Sequence, residues 1–254
     1  MRKFSKYTLC AMDAALKAGK LIKKGFGRTN VQISAKGKNN DLVTEYDIAS
    51  ENLIIDHFRK TFPKSSFLSE ECGEKKHQNE EVEWIIDPID GTINYAHKIP
   101  IFAISIAAKI KGKLHSGIIY QPISDELFVA EVNKGAFLNG KTIHVSEVHS
   151  LKYSLLTTEF SFSTKSYRPI VNILEKKIPL RRLGSAALNL AYVAAGNFDG
   201  FFAKGLYIWD YAAGIIMVKE AGGKISPWPK LNMSNASLLA TNGKIHEELS
   251  KAVR

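Results

Sequence analysis

The chain of 254 residues contains little cysteine and no long hydrophobic run, and both absences exclude classes of protein. Its two cysteines, Cys10 and Cys72, offer neither a disulfide framework nor the paired thiols of a metal site, so we expect both to be reduced. No apolar run approaches the roughly 18 residues of a membrane span, and residues 1–6 lack the apolar segment of an export signal. These absences favour a cytoplasmic protein without a membrane segment.

The basic residues are dispersed along the chain, although its net charge is +10. The nearest approach to a cluster, at 28–40, has no interleaved aromatic residues on which bases could stack, so nucleic-acid binding is not expected as the main activity. The seven histidines show no metal-ligand spacing, and neither a nucleotide-binding glycine loop nor a nucleophile elbow is present. Hydride transfer and nucleotide kinase chemistry are therefore poor fits.

Helical and strand patterns alternate along the chain and predict an α/β (α+β) fold. A cap-like sequence, Thr44 to Asp47, predicts the start of the second helix, and Asn139-Gly140 predicts a hairpin turn. The segment between the first helix and Thr44 is predicted to be a mobile loop. We predict helices at 5–26, 44–62, 167–176, 185–195, 210–220 and 244–253, and strands at 66–69, 82–86, 102–110, 114–120, 127–131, 155–159, 198–203 and 238–240.

The most informative motif joins two carboxylates to a glycine turn directly after an apolar strand. Asp87 and Asp90 follow the apolar run at 84–86, and Gly91-Thr92 then leads toward a predicted helix. Strands of open α/β sheets usually present ligand-binding groups at their carboxyl ends, and backbone N–H groups at such a turn can bind phosphate. Carboxylates are the hard oxygen ligands that Mg²⁺ prefers. The motif therefore predicts a site for metal and phosphate.

Other acids could join this site if the chain brings them together. Glu70, beside Glu71, ends a short predicted strand, and Asp210 opens a later helix. Four carboxylates in one cleft repel one another unless protons or cations relieve them, and two Mg²⁺ ions about 4 Å apart could clamp a phosphate and activate a water. Each acid also has a structural interpretation: Glu70 as a solvated strand end, Asp210 as a helix cap and Asp47 as a capping-box acid.

Five ordered segments resemble the motif set of the inositol monophosphatase family. They are 41–47, 66–71, 84–96, 183–187 and 209–214, and they span nearly the whole chain. The resemblance implies a lithium-sensitive, Mg²⁺-dependent phosphatase with the layered α-β-α-β-α sandwich of the inositol monophosphatase and fructose-1,6-bisphosphatase type. It also implies a homodimer with two or three metal ions, and Mn²⁺ accepts the same oxygen ligands.

The resemblance assigns metal and catalytic roles to particular residues. It implies that Thr92 and Glu70 orient the attacking water, and that Asp47 holds the Thr92 hydroxyl in place. The implied ligands of the first metal are Glu70, Asp87 and the backbone carbonyl of Ile89, and those of the second metal are Asp87, Asp90 and Asp210.

The resemblance also implies how the substrate lies. The phosphate is expected at Asp90, Gly91 and Thr92, and the alcohol portion at Gly184, Ser185 and Ala186, with Ser185 equally fit to cap a helix. The first part of the single domain, about 1–145, would hold the metal and phosphate site. The second part, 146–254, would supply the substrate side and the last metal ligand, and the two parts are expected to share one core.

One departure from the family pattern leaves the substrate open. Inositol-specific members usually carry an acid seven residues before the position of Asp210, where this chain has Ala203. Nearby cations could instead hold a second phosphate, or they could be solvated surface charges. These cations are Arg181, Arg182 and Lys204.

Three functions follow from these expectations. The first is hydrolysis of inositol monophosphate or a related sugar or polyol phosphate. The second keeps the chemistry but takes fructose 1,6-bisphosphate, or less readily a nucleotide such as 3′-phosphoadenosine 5′-phosphate. The third, from another class, is a regulatory protein that binds the transcription machinery, as some bacterial members of the family do; the basic charge permits this role without arguing for it.

Overall fold

The computed structural model describes residues 4–28, 32–36, 41–160, 167–227 and 236–254. Helices and strands alternate as the hydrophobic pattern predicts. The helices are α1 Lys6–Gly25, α2 Glu45–Thr61, α3 Thr92–Ala96, α4 Arg168–Glu175, α5 Ala186–Ala194, α6 Ile208–Glu220 and α7 His246–Ala252. The strands are β1 Ile33–Lys36, β2 Asp41–Thr44, β3 Ser65–Ser69, β4 Gly73–Lys75, β5 Val82–Asp90, β6 Ala103–Ile110, β7 Lys113–Gln121, β8 Glu126–Glu131, β9 Gly135–Leu138, β10 Lys141–Ile143, β11 Leu156–Phe160, β12 Leu180–Arg181, β13 Gly200–Leu206, β14 Lys224–Pro227 and β15 Ala236–Thr241.

The fold consists of five layers, because each of its two large sheets is covered on both faces. Helices α1 and α2 pack on the outer face of an eight-stranded sheet, and α5 and α6 fill the space between its inner face and a five-stranded sheet. Helices α4 and α7 cover the far face of the second sheet. The predicted α-β-α-β-α sandwich is confirmed, and the middle core contains residues from both sheets.

Strand order brings the carboxyl ends of two strands to the same edge. The large sheet has the order β10-β9-β8-β7-β6-β5-β3-β4, and β3 pairs with β5 in parallel. The smaller sheet has the order β12-β11-β13-β15-β14, with β11 and β13 parallel. Parallel neighbours end at the same edge, so residues that follow β3 and β5, or β11 and β13, lie close together.

Local sequence explains several element boundaries. Thr44 caps α2 with the predicted capping box, in which its backbone N–H donates to Asp47 Oδ2 at 2.7 Å. The predicted hairpin turn is also confirmed, because Asn139 and Gly140 both have positive φ and join the antiparallel strands β9 and β10. Among the helices of the described ranges, none has the length and apolar character needed to cross a lipid bilayer.

The predicted loop after α1 was partly wrong. Ile33–Lys36 forms a strand that pairs in antiparallel fashion with Asp41–Thr44, immediately before α2. The alternation of apolar and polar residues at 33–36 is the pattern of a short strand, but the surrounding glycine and asparagine obscured it. Residues 37–40, which were part of the same prediction, lie outside the described ranges.

Candidate metal and phosphate site

The site begins where β5 leaves its regular pairing. All nine residues of β5 are buried, and its register with β6 shifts between Asp87 and Asp90. This irregularity is a bulge, which bends the strand and re-aims the side chains beyond it. Because β3 ends beside β5, Glu70 lies on the wall of the same cavity as the two aspartates.

Gly91 makes the turn from β5 into α3 possible. Its φ is +101°, a left-handed conformation that favours glycine. A Cβ at this position would lie 3.1 Å from the backbone oxygens of both Gly184 and Ile101. The turn is therefore packed directly against the segment that leads into α5. This contact joins two parts of the site that are far apart in the sequence.

Three carboxylates converge at this turn. One carboxylate oxygen from each of Asp87, Asp90 and Asp210 lies within 4.8 Å of the others, and the first two side chains are buried. Glu70, Ile89, Gly91 and Thr92 line the same cavity of about 250 Å³. Asp210 also caps its own helix, since its Oδ2 accepts the backbone N–H of Tyr207 at 2.7 Å. The structural and ligand interpretations of Asp210 are thus compatible.

The electrostatics of this group favour a bound cation. Burial raises the pKa of Asp87 well above its ordinary value, and the charges of Glu70, Asp90 and Asp210 raise it further. Burial also raises the pKa of Asp90 to about 6, against hydrogen bonds from Ser185 and Ala187 that lower it. Carboxylates that repel one another in a buried cleft, with only oxygen donors between them, match the ligand preference of Mg²⁺.

Asp90 also receives the first turn of α5. Ser185 Oγ and the backbone N–H of Ala187 donate to its Oδ2 at 2.5 and 2.7 Å, and the backbone N–H of Ala186 donates to Oδ1 at 3.2 Å. Ser185 caps α5 as predicted, through a bond from Leu188 N at 3.2 Å. It is buried against Asp90, whereas Gly184 and Ala186 line the cavity. Through Asp90, the end of β5 is tied to the segment expected to hold the alcohol.

Asp47 connects the start of α2 with the site. Thr92 Oγ1 lies 2.9 Å from Asp47 Oδ1 and 3.0 Å from the backbone oxygen of Ile89, so its hydroxyl proton can be donated to either acceptor. Burial raises the pKa of Asp47 to about 6, and hydrogen bonds from Thr44 and Thr92 oppose this increase. Asp47 therefore uses one oxygen, Oδ2, for the helix cap and the other, Oδ1, for the contact with Thr92.

The far part of the cavity contains residues that the sequence did not single out. Glu159, Phe160, Tyr207 and Trp209 line it together with Arg182. The position of Glu159 near the end of a predicted strand was a usable signal, because strand ends supply ligand-binding groups in such folds.

The other substrate-side candidates are not among the described residues that line this cavity. Ala203 is buried in β13 and is the register partner of Glu159. Arg181 is exposed, and neither Arg181 nor Lys204 is among the described residues that line the cavity.

Comparisons with known proteins agree with this architecture. The model of the inositol monophosphatase family matches residues 3–254. A protein of Escherichia coli K12 named Nus factor SuhB is 42% identical, with 96% of this chain and 97% of that protein covered. An inositol-1-monophosphatase of Mesorhizobium japonicum is 38% identical, with 96% and 94% covered. The crystal structure of the extragenic suppressor protein suhB from Bartonella henselae superposes with a TM-score of 0.92 at 38% identity, covering 98% of this chain and 99% of that one. The chain therefore belongs to the inositol monophosphatase family.

Proposed function

We propose that the chain is a Mg²⁺-dependent phosphomonoesterase that hydrolyses inositol monophosphate or a related sugar or polyol phosphate. The observation that supports this most directly is the convergence of Asp87, Asp90 and Asp210 within 4.8 Å, in a cavity that Gly91 and Thr92 also line. An inositol-1-monophosphatase that is 38% identical over nearly the full length supports the same activity. As a family member, the chain is also proposed to form a homodimer.

The donor set indicates which residues would hold the metal. Asp87 would bridge two ions, with Glu70 and the Ile89 carbonyl on one side and Asp90 and Asp210 on the other. Bound Mg²⁺ would polarise the P–O bonds of the ester and lower the pKa of the attacking water.

The residues around the metal set would position the reactants. Thr92 can donate a hydrogen bond to Asp47, which leaves the lone pairs of Oγ1 free to accept a hydrogen bond from a water. Glu70, on the cavity wall, would be the second acceptor for that water. The backbone N–H groups of Gly91 and Thr92 are proposed as phosphate donors. The Ser185 and α5 contacts hold Asp90 in one orientation for its role as ligand.

Phosphate release from a panel of esters tests this proposal. The panel contains inositol 1-phosphate, fructose 1,6-bisphosphate, 3′-phosphoadenosine 5′-phosphate and phenyl phosphate, each with Mg²⁺, with Mg²⁺ and Li⁺, and with a chelator. We expect Mg²⁺-dependent and lithium-inhibited release, fastest from the polyol monophosphate. Absence of release from every ester would overturn the proposal, and release that survives the chelator would overturn the metal assignment.

The bisphosphate alternative has weaker support from the cavity. Of the three candidate cations only Arg182 is among the described residues that line it, and Arg182 is paired with Glu159 at 3.0 Å. A second phosphate would therefore meet a carboxylate next to the guanidinium.

A regulatory role is a second candidate because a relative that is 42% identical carries the name Nus factor SuhB. The net charge of +10 is compatible with an acidic partner. Co-purification of RNA polymerase subunits at low salt tests this role, and it should persist in a variant that has lost phosphatase activity. Failure to recover any subunit at low salt would contradict it.

A further inference from the structure

Glu159 is a buried acid that the proposed metal and phosphate chemistry does not use. It lies near the end of β11 with 7% of its surface exposed, and it lines the cavity. Its Oε1 accepts the backbone N–H of Gly184 at 2.5 Å and the amide of Asn189 at 3.2 Å. Burying a carboxylate is costly unless it is well paired, and burial raises the pKa of Glu159 to about 7, against the Arg182 charge and the Gly184 N–H that lower it.

Arg182 supplies the pairing charge and is itself held on two sides. Its Nε lies 3.0 Å from Glu159 Oε2, and its guanidinium lies over the Phe160 ring at 4.6 Å. Nε therefore faces the carboxylate. Within the described residues, no acceptor is bonded to the two terminal nitrogens of this guanidinium, which carry four further N–H donors. Acceptor and donor groups thus stand side by side on one wall of the cavity.

The remaining wall is aromatic. Tyr207 and Trp209 stack with ring centroids 5.0 Å apart and nearly parallel planes, and both line the cavity. The same cavity contains the carboxylates of Asp87 and Asp90, so a monoester whose phosphate lies there extends its alcohol within reach of the remaining lining residues. A volume of about 250 Å³ suits a small ring, with C–H groups against the aromatic pair and polar groups against the ion pair.

We infer that the Glu159–Arg182 pair recognises two neighbouring hydroxyl groups on the alcohol portion of the substrate. A hydroxyl both donates and accepts, a carboxylate only accepts and a guanidinium only donates. Two hydroxyls on adjacent carbons satisfy the pair, one donating to Glu159 and the other accepting from Arg182. The pair is neutral overall, so it favours hydroxyls over a second phosphate. This inference rests on the proposed phosphatase function and specifies its substrate as a vicinal-diol monophosphate.

A Glu159→Gln variant separates hydroxyl recognition from a structural role. Glutamine keeps an oxygen that can accept from Gly184 and Asn189, so the turn before α5 retains its partners. We expect kcat/KM for inositol 1-phosphate to fall about 10- to 100-fold, because a charge-assisted hydrogen bond is lost. Phenyl phosphate has no hydroxyl groups, and its kcat/KM should change less than about twofold.

A matched control and a binding measurement complete the test. Glu131 is another buried acid, paired with Lys134 and absent from the described lining of the cavity. Glu131→Gln should therefore leave kcat/KM unchanged for both esters. Equal losses for both esters in Glu159→Gln would mean that Glu159 only positions the turn, and no loss for either would also overturn the inference. If the parent protein hydrolyses none of the esters, the proposed function fails, but calorimetric measurement of ester binding in the presence of Ca²⁺ still tests the role of the Glu159–Arg182 pair. Tighter binding of inositol 1-phosphate than of phenyl phosphate, with the difference lost in Glu159→Gln, supports the inference. Equal affinities of the parent protein for the two esters overturn it.

Discussion

The two ends of the cavity are built in different ways. At the metal end, Asp87, Asp90, Gly91 and Thr92 come from one short stretch that runs from β5 into α3. At the alcohol end, Glu159 comes from β11, Arg182 from the turn before α5, and Tyr207 from the turn before α6. The first end depends on a bulge and a left-handed glycine, and the second depends on contacts between side chains from separate segments.

This difference predicts how the two ends respond to change. In the proposed function, the buried carboxylates and the fixed turn would bind the phosphate group, which all phosphate esters share. The ion pair on the separate wall would contact only the alcohol portion. Variants at the metal end should therefore affect every substrate alike, and variants at the alcohol end should change the ratio between substrates.

The largest effect is expected from Asp90→Asn. The change removes the charge of a proposed metal ligand at nearly constant volume while leaving one oxygen to accept from α5. Several kcal/mol of charge stabilisation would be lost, so we expect kcat to fall about 1,000-fold for inositol 1-phosphate and phenyl phosphate alike. Phosphate release measures the fall, and calorimetry should show weaker Mg²⁺ binding.

Asp13→Asn is the matched control for this change. Asp13 has an exposed side chain paired with Lys17, so the activity and Mg²⁺ affinity of the Asp13→Asn variant should equal those of the parent protein. If Asp90→Asn retained more than about a tenth of the parent activity, Asp90 would not be an essential ligand. A loss confined to one ester would remove the distinction between the two ends.

Thr92→Val should have the next largest effect. Valine keeps the shape but removes the hydroxyl that lies 2.9 Å from Asp47. We expect kcat to fall about 10- to 100-fold for both esters, as for loss of a positioning hydrogen bond, with Mg²⁺ affinity little changed. Thr92→Ser should recover most of the activity in the same phosphate-release assay. A valine variant as active as the parent would show that the hydroxyl does not position the water.

Gly91→Ala tests the connection between the two ends. The new Cβ would combine a φ of +101° with contacts of 3.1 Å to two backbone oxygens, one of them in Gly184. We expect the free energy of unfolding to fall by about 2–5 kcal/mol and activity to fall several-fold. Urea unfolding at fixed Mg²⁺ concentration measures the first quantity.

Gly112→Ala separates backbone strain from crowding. Gly112 has a φ of +75° and open space where a Cβ would lie. Its replacement should cost about 1 kcal/mol and leave activity unchanged. Equal costs at 91 and 112 would mean that the contact between the turn and Gly184 contributes nothing beyond the strain.

The same contrast explains what could be predicted from the sequence. The metal end is a contiguous motif after an apolar run, so residue order alone predicted a site for metal and phosphate there. The apolar run also predicted a buried strand, and all nine residues of β5 are buried. Short edge strands such as β4 and β12, with three and two residues, are too brief to show periodicity. The strand end at Glu159 was a local signal, but its place on the cavity wall depends on the pairing of β11 with β13, and tertiary contacts of this kind leave no local pattern.

The smallest and most specific effect concerns the position of the acid at the alcohol end. Ala203 and Glu159 are register partners on parallel strands, so their side chains project from the same face about 4.8 Å apart. Ala203→Glu alone would place two buried carboxylates side by side. We expect a loss of about 1–3 kcal/mol of stability and a change of a few-fold in the ratio of the two ester activities.

Combining Ala203→Glu with Glu159→Ala moves the acid from β11 to the neighbouring strand β13 while keeping the number of acidic residues constant. Glu159→Ala alone leaves the Arg182 guanidinium and the Gly184 N–H without their partner, and the acid at 203 can reach the same guanidinium. The two changes should therefore compensate each other by about 1–2 kcal/mol in a double-mutant cycle of unfolding free energies. The double variant should also recover part of the preference for inositol 1-phosphate over phenyl phosphate. Strictly additive losses in both quantities would mean that selectivity requires the acid on β11 itself, because only there does the Gly184 N–H fix its direction.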